Sequence, residues 1–297
     1  MSQTEHSGQS PILTLLRKLE WGVRHAADSM IEGGYRSAFR GRGMEFDQVV
    51  KYEFGDDFRD IDWNVTARLG EPYRKKFIEE REVTLTLLFE DSPSLQFGSG
   101  QRQKRDALME LAGLLGLLCA INRDRFSIFY VSPEGHKFQE PVRGRNPILH
   151  ACTRLFSHTA PADGLMPEIP WKRLLHAAPK HSLLLWLGDF PPRENTDFWP
   201  ALSRRYQVMG FRVDDPWERH LPENISFTAY DPISQSTGIL DASNAGQRRA
   251  HAEWVARREM AWERLFPNPH NRMSFLTSAP TLESLVSFFR KRSGVKI

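Results

Sequence analysis

The chain has 297 residues, 40% of them hydrophobic, which is enough to build one large domain or two small ones around a packed core. Its 40 basic and 37 acidic residues nearly cancel to a formal charge of +3, which excludes the one-sided basic footprint of a nucleic-acid binder. The two cysteines, Cys119 and Cys152, lack paired metal-ligand spacing, and nothing has the form of a signal peptide, so a reducing, cytoplasmic setting is expected.

Residues 1–10 are rich in Ser and Gln and are expected to be a disordered tail. From Pro11 to Met30, Leu15, Leu16, Leu19 and Val23 follow helical spacing between charged residues, which predicts an amphipathic N-terminal helix stopped at Gly33 and Gly34. Arg40-Gly41-Arg42-Gly43 either turns the chain or approaches a phosphate; no phosphate-loop lysine and hydroxyl follow, which favours the turn. Met44 to Tyr52 alternates as a strand does. Tyr52 to Glu82 then mixes acids with bases around a single tryptophan, Trp63, after the turn signal Phe54-Gly55-Asp56-Asp57. This charged collar is either a braced polar network or a docking surface.

Val83 to Phe89 is apolar and ends in Glu90-Asp91-Ser92-Pro93-Ser94, a cluster of oxygen-bearing side chains where open α/β sheets place ligand sites. Lys104 to Ile121 reads as an apolar helix and Arg125 to Val131 as a strand, together a parallel βαβ unit. The apolar run Ala107 to Ile121 contains Glu110 and falls short of the roughly 20 residues of a membrane span. Asn146 to Phe156 predicts a helix, Ser182 to Leu187 a buried strand closed by Gly188-Asp189-Phe190, Thr196 to Arg205 a helix and Gln207 to Val213 a strand. Beyond them come a hairpin around Asp231-Pro232 and a charged helix over Gln247 to Phe266. A last strand is expected over Met273 to Thr277 and a last helix over Thr281 to Arg292, capped by Thr281. Trp254 and Trp262 lie nearly on one helix face and suit either core packing or a contact surface. Arg248, Arg249, Arg257, Arg258 and Arg264 are expected on its solvated side. The expected division is a tail (1–10), an N-terminal helix and collar (11–82), a doubly wound, mostly parallel α/β core (83–215) and a small irregular C-terminal extension (216–297) whose long helix packs on the core.

Gly41-Arg-Gly-Met-Glu-Phe46, Tyr52-Glu-Phe-Gly-Asp-Asp57, Arg59-Asp-Ile-Asp-Trp63, Thr66-Ala-Arg68 and Glu79-Glu-Arg81 together resemble the signature of the bacterial family called domain of unknown function 58. Ser92-Pro-Ser94, Gly188-Asp-Phe190 and the stretch from Asp215-Pro-Trp-Glu218 to Leu221-Pro222 resemble it as well, so the match covers most of the chain. The resemblance implies a core of von Willebrand factor A type and a non-enzymatic adaptor role beside a MoxR-type AAA+ ATPase acting on client proteins. The charge balance and the short apolar run lead to no nucleic-acid partner and no membrane insertion, and the oligomeric state is left open. Asp56, Asp57, Arg59, Asp62, Trp63, Arg68 and Arg81 become the collar residues that contact the partner or brace the fold.

Domains of that type often carry a metal-ion-dependent adhesion site, in which a hard cation takes several oxygen ligands and keeps one position for a partner's carboxylate. The resemblance places a degenerate version at Glu90, Ser92, Ser94 and Asp189, with Mg2+ as the first candidate and Thr159 or Asp163 standing in for a missing threonine. Glutamate at the leading position reaches about 1.5 Å further than aspartate, which strains a shell with bonds of about 2.1 Å. The alternative is a metal-free cluster of mutual hydrogen bonds that caps the following helix. A metal-dependent hydrolase remains the second function, through the carboxylate pairs Asp56 with Asp57 or Glu90 with Asp189. No phosphate loop, His-Glu-x-x-His or nucleophile elbow supports it, and His176 and His181 read as surface residues.

Overall fold

A computed structural model of the chain describes residues 45–78, 83–180, 182–193, 197–232 and 234–293. The expected tail, the N-terminal helix, the Arg40 to Gly43 turn, Arg81 and His181 lie outside the described residues. Residues 39–83 form one compact unit, and the chain from Thr84 onward belongs to a second.

In the smaller unit, strand β1 (Glu45–Lys51) pairs antiparallel with β2 (Tyr73–Ile78). The connection holds a 3-10 turn (Phe58–Asp60) and helix α1 (Trp63–Leu69), neither of which the sequence periodicity anticipates. Both start on aspartates: the Asp57 carboxylate accepts from Arg59 N, and that of Asp62 from Asn64 N and Val65 N, satisfying donors that a helix start otherwise leaves open. Gly70 ends α1 in the left-handed region (φ 74), where a side chain would be strained. No residue from 48 to 75 is buried.

The larger unit is a six-stranded sheet in the order β10-β7-β6-β3-β4-β5. Its strands are β3 (Thr84–Glu90), β4 (Arg125–Ser132), β5 (Gly135–Arg143), β6 (Leu183–Gly188), β7 (Gln207–Asp214) and β10 (Arg272–Leu276). All neighbours run parallel except β4 with β5. Central β6 is apolar throughout and central β3 largely so, and both are almost wholly buried because helices cover both sheet faces. On one side α2 (Lys104–Ile121) packs with α3 (Arg145–Phe156) and α8 (Thr281–Ser293), with Phe211 and Phe288 in edge contact at 5.5 Å. On the other, Leu88, Phe129, Leu184, Trp186 and Val208 meet α4 (Trp171–Ala177), α5 (Trp199–Arg205) and the end of α7 (Ala245–Leu265). An exposed hairpin of β8 (Ser226–Asp231) and β9 (Ser236–Asp241) lies apart from the sheet. No helix among the described residues is long and apolar enough to cross a membrane.

In the stretch after residue 215 the long helix α7 packs its end on one sheet face, and β10 adds an edge strand to the central sheet, which places part of the extension inside the α/β unit. The Thr281 hydroxyl, expected as a cap, donates to Glu110 Oε2 at 2.6 Å and accepts from Arg102 Nη1 at 3.1 Å. Trp262 is buried while Trp254 is partly exposed, so the two tryptophans of α7 divide between core and surface.

Candidate functional site

Strand order reverses between β3 and β6: β4 and β5 follow β3 on one side, while β7 and β10 extend the sheet beyond β6 on the other. A crevice opens at such a switch point, outside the carboxyl ends of the strands. The Glu90 to Ser94 segment and the Gly188-Asp189-Phe190 turn meet there. Phe190 takes φ 51, costly for an aromatic residue, and its ring is held at 4.9 Å from Trp186 and 4.5 Å from Trp262. This anchored turn fixes the direction of the Asp189 carboxylate.

Asp189 lies in a buried ionic cluster. Lys104, the first residue of α2, is fully buried, and its Nζ donates to Asp189 Oδ1 at 2.8 Å and to Glu218 Oε1 at 2.6 Å. Arg258 of α7 donates from Nη2 to Asp189 Oδ1 at 2.6 Å, while its Nη1 lies 3.0 Å from Asp214 Oδ1. Ser94 Oγ donates to Asp189 Oδ2 at 2.7 Å and shares a 2.9 Å hydrogen bond with Ser92 Oγ. Lys104, Arg258, Arg212 and Arg219 thus face Asp189, Asp214, Glu218 and Glu259, four charges of each sign. Burial alone would raise the Asp189 pKa, but Lys104 and Arg258 outweigh it and hold the carboxyl well below its usual range. Burial alone would lower that of Arg258, but Asp189, Glu218 and Asp214 drive it up. Both groups stay charged.

Three of the four expected metal ligands, Ser92, Ser94 and Asp189, meet. Glu90 does not join them: Trp186 Nε1 donates to its Oε2 at 2.9 Å, and Arg193 pairs with its Oε1. Gly188 makes room for this placement, since a Cβ there would sit 3.0 Å from Glu90 Oε2. Thr159 is exposed, and Asp163 accepts from Tyr230 OH at 2.6 Å. A divalent cation needs oxygens with free lone pairs and tolerates no cation close by. Here the Asp189 oxygens are engaged by an ammonium, a guanidinium and a hydroxyl, so the residues do not fit a magnesium shell. Among the described residues no group of three or more His, Cys, Asp or Glu is placed to hold a metal ion.

The neighbouring carboxylates are paired as well. Asp91 accepts two hydrogen bonds from Arg105 Nε, each at 3.0 Å, one from Arg105 Nη2 at 2.8 Å and one from Tyr130 OH at 2.9 Å. Asp215 caps the short helix α6 (Pro216–Arg219) and accepts from Ser99 N at 2.9 Å and Thr277 Oγ1 at 3.0 Å. Of the carboxylate pairs considered for hydrolysis, Asp56 pairs with Arg74 at 2.6 Å and Asp57 with Arg59 at 2.8 Å, while Glu90 and Asp189 have separate partners. The other collar residues also act locally: Asp62 caps α1 and lies 3.7 Å from Lys75, and Arg68 is exposed in the last turn. Trp63 opens α1 with 70% of its surface exposed, and Phe54, Phe58 and Leu69 are exposed beside it in sequence.

Lys104, Arg258 and Asp214 belong to the cluster and escape a reading by motif, while Glu218 lies in the Asp215 to Glu218 motif without having been expected at the site. Arg258 is buried, although it was expected on the solvated side of its helix. The available signals were a lysine in the charged first turn of a helix that is apolar from Ala107 on except for Glu110, and Asp214-Asp215 ending a third buried strand, the same acidic strand-end pattern as Glu90-Asp91 and Asp189.

Uncharacterized proteins of Mycobacterium bovis and Mycobacterium tuberculosis are 27% identical to this chain over 216 residues, covering 70% of it and 67% of each relative. Among solved structures, the pilus adhesin SpaC from Lactobacillus rhamnosus GG aligns with a TM-score of 0.34 and 7% identity over 72% of this chain and 31% of that one, too distant to place the fold. The family model described as protein of unknown function DUF58 matches residues 48–261. Over that span, which includes the collar, the strand-end turns and most of α7, the chain belongs to the DUF58 family.

Proposed function

We propose that the chain is a non-enzymatic protein-interaction module, an adaptor for a MoxR-type AAA+ ATPase acting on client proteins, and that residues 45–78 present its docking surface. The observation that carries this reading is the smaller unit itself. Its turns are held by aspartate caps and local ion pairs, none of its residues from 48 to 75 is buried, and Phe54, Phe58, Trp63 and Leu69 remain exposed. Exposed aromatics set among charges are the composition of binding hot spots. The ATPase as partner comes from the family resemblance; the crevice cluster, with its charges mutually paired, supports a bracing role for the α/β unit instead of chemistry.

The test is co-elution of the purified chain with a purified MoxR-type ATPase in ATP and in ADP, using the wild type, Phe58→Ala and Trp63→Ala. The reading expects a complex with the wild type that both variants lose while they melt at the wild-type temperature. Wild type and variants co-eluting alike would reject the docking surface, and failure of the wild type to co-elute in either nucleotide would reject the partner.

A further inference from the structure

We infer that the Lys104 ammonium is the resident cation of the strand-end crevice: it stands on Asp189 and Glu218 and lets the site hold its carboxylates without a divalent ion. The inference rests on the crevice geometry and is independent of the partner proposed above.

A carboxylate at the end of a buried parallel strand needs a counter-charge, because an isolated buried anion is too costly to keep ionised. A metal ion is one way to supply it, and a tethered side-chain cation is another. Lys104 is fully buried and has two carboxylate acceptors, at 2.8 and 2.6 Å. Arg258 adds a second cation on the same Asp189 oxygen that Lys104 contacts. The Ser92 and Ser94 hydroxyls, which would otherwise be free to ligate, bond to each other and to Asp189. A dication brought to Asp189 would therefore meet two fixed positive charges at hydrogen-bond range and find its oxygen ligands already engaged.

The cation also has a structural reach that a diffusible ion lacks. Lys104 is the first residue of α2, Glu218 lies in α6, Asp189 follows β6 and Arg258 belongs to α7, so one cluster ties four separate parts of the chain to the strand ends. Such a tether is permanent. It does not vary with the metal or chelator content of the surroundings.

The test uses the full chain. Wild type is titrated with MgCl2 by calorimetry and with MnCl2 by the loss of the free-ion electron paramagnetic resonance signal, and melted in millimolar Mg2+ and in EDTA. The expected result is no saturable heat, no loss of the Mn2+ signal and the same melting temperature in both buffers. A saturable Mn2+ site that disappears in Asp189→Asn would overturn the inference. Lys104→Met, which keeps the stem and removes the charge, provides the second arm, with Lys104→Arg as the charge-retaining control. Lys104→Met should melt several degrees lower than both the wild type and Lys104→Arg, and failure of Lys104→Met alone to fold is the same result in stronger form. Lys104→Met melting with the wild type, or Lys104→Arg falling as far as Lys104→Met, would show that the charge does not hold the site.

Discussion

Replacing Asp189 by asparagine keeps the shape of the side chain and removes one of the four negative charges in the crevice. Lys104 then retains only Glu218, at 2.6 Å, and Arg258 keeps Asp214, at 3.0 Å, and Glu218, at 3.6 Å, so the buried cluster carries a net positive charge. Removing one partner of a buried ion pair costs about 3–5 kcal/mol, because the charge left behind has lost its compensation and water cannot reach it. For a domain of this size, with about 2–4 °C per kcal/mol, the melting temperature should fall by about 6–20 °C. Circular dichroism melts and urea midpoints measure it. Arg249→Ala, which breaks the exposed Arg249–Glu253 pair on α7, is the control and should cost about 0.3–0.5 kcal/mol. If Asp189→Asn melted no lower than that control, the cluster would not brace the α/β unit and the reasoning from buried charge would fail.

Other outcomes follow from the same coordinates. Gly210 lies under the end of α7: a Cβ there would sit 2.4 Å from Phe266 Cε2 and 2.6 Å from Trp262 Cη2, so Gly210→Ala should cost about 1–3 kcal/mol in a denaturant titration. Burial pushes the Cys152 thiol up to about 12, so Ellman's reagent should leave it unmodified in the native protein and modify it rapidly in urea. Stability should fall in two steps as pH drops. His158, stacked on Tyr130 at 4.0 Å, has its pKa lowered from 6.5 by burial and then by Lys137. The unfolded chain takes up that proton first, so the contribution is whole above 6.5 and is lost as pH falls through the lower folded value. Burial acts to raise Asp214, but Arg258, Arg212 and Arg219 hold it below 3.8. Its contribution is whole above that value and disappears as pH falls through the lower folded one. Urea midpoints against pH should show both steps; burial also lowers the pKa of His251, so His158→Gln should shrink the first step and leave the second unchanged.

The central fold was legible in the sequence because its elements are strongly periodic and separated by clear breaks. The helix over Lys104 to Ile121 and the strands before and after it lie within a residue of the expected limits, since a buried parallel strand reads as an unbroken apolar run. Strand β5, with alternating exposure and a two-residue connection at Pro133-Glu134, offers no such run, and of the three seven-residue helices only α5 was expected, as part of a longer stretch, while α1 and α4 were not. At the site, Ser92, Ser94 and Asp189 could be read because each follows a strand. Lys104 and Arg258 could not, since their partners are 85 and 69 residues away and local charge patterning places a cation on the solvent side by default. Glu90 shows the limit of reading by motif: its extra methylene does not bring it into a ligand shell, and it pairs with Trp186 and Arg193.

The proposed adaptor role is tested most directly by calorimetric titration of a purified MoxR-type AAA+ ATPase, in defined nucleotide states, with the wild-type chain, Trp63→Ala and Arg59→Ala. The account predicts saturable wild-type binding, weakened at least about tenfold by Trp63→Ala and to a lesser degree by Arg59→Ala, with the melting temperature of both variants unchanged. Equal affinity for all three chains, or no binding of the wild type in any nucleotide state, would contradict it.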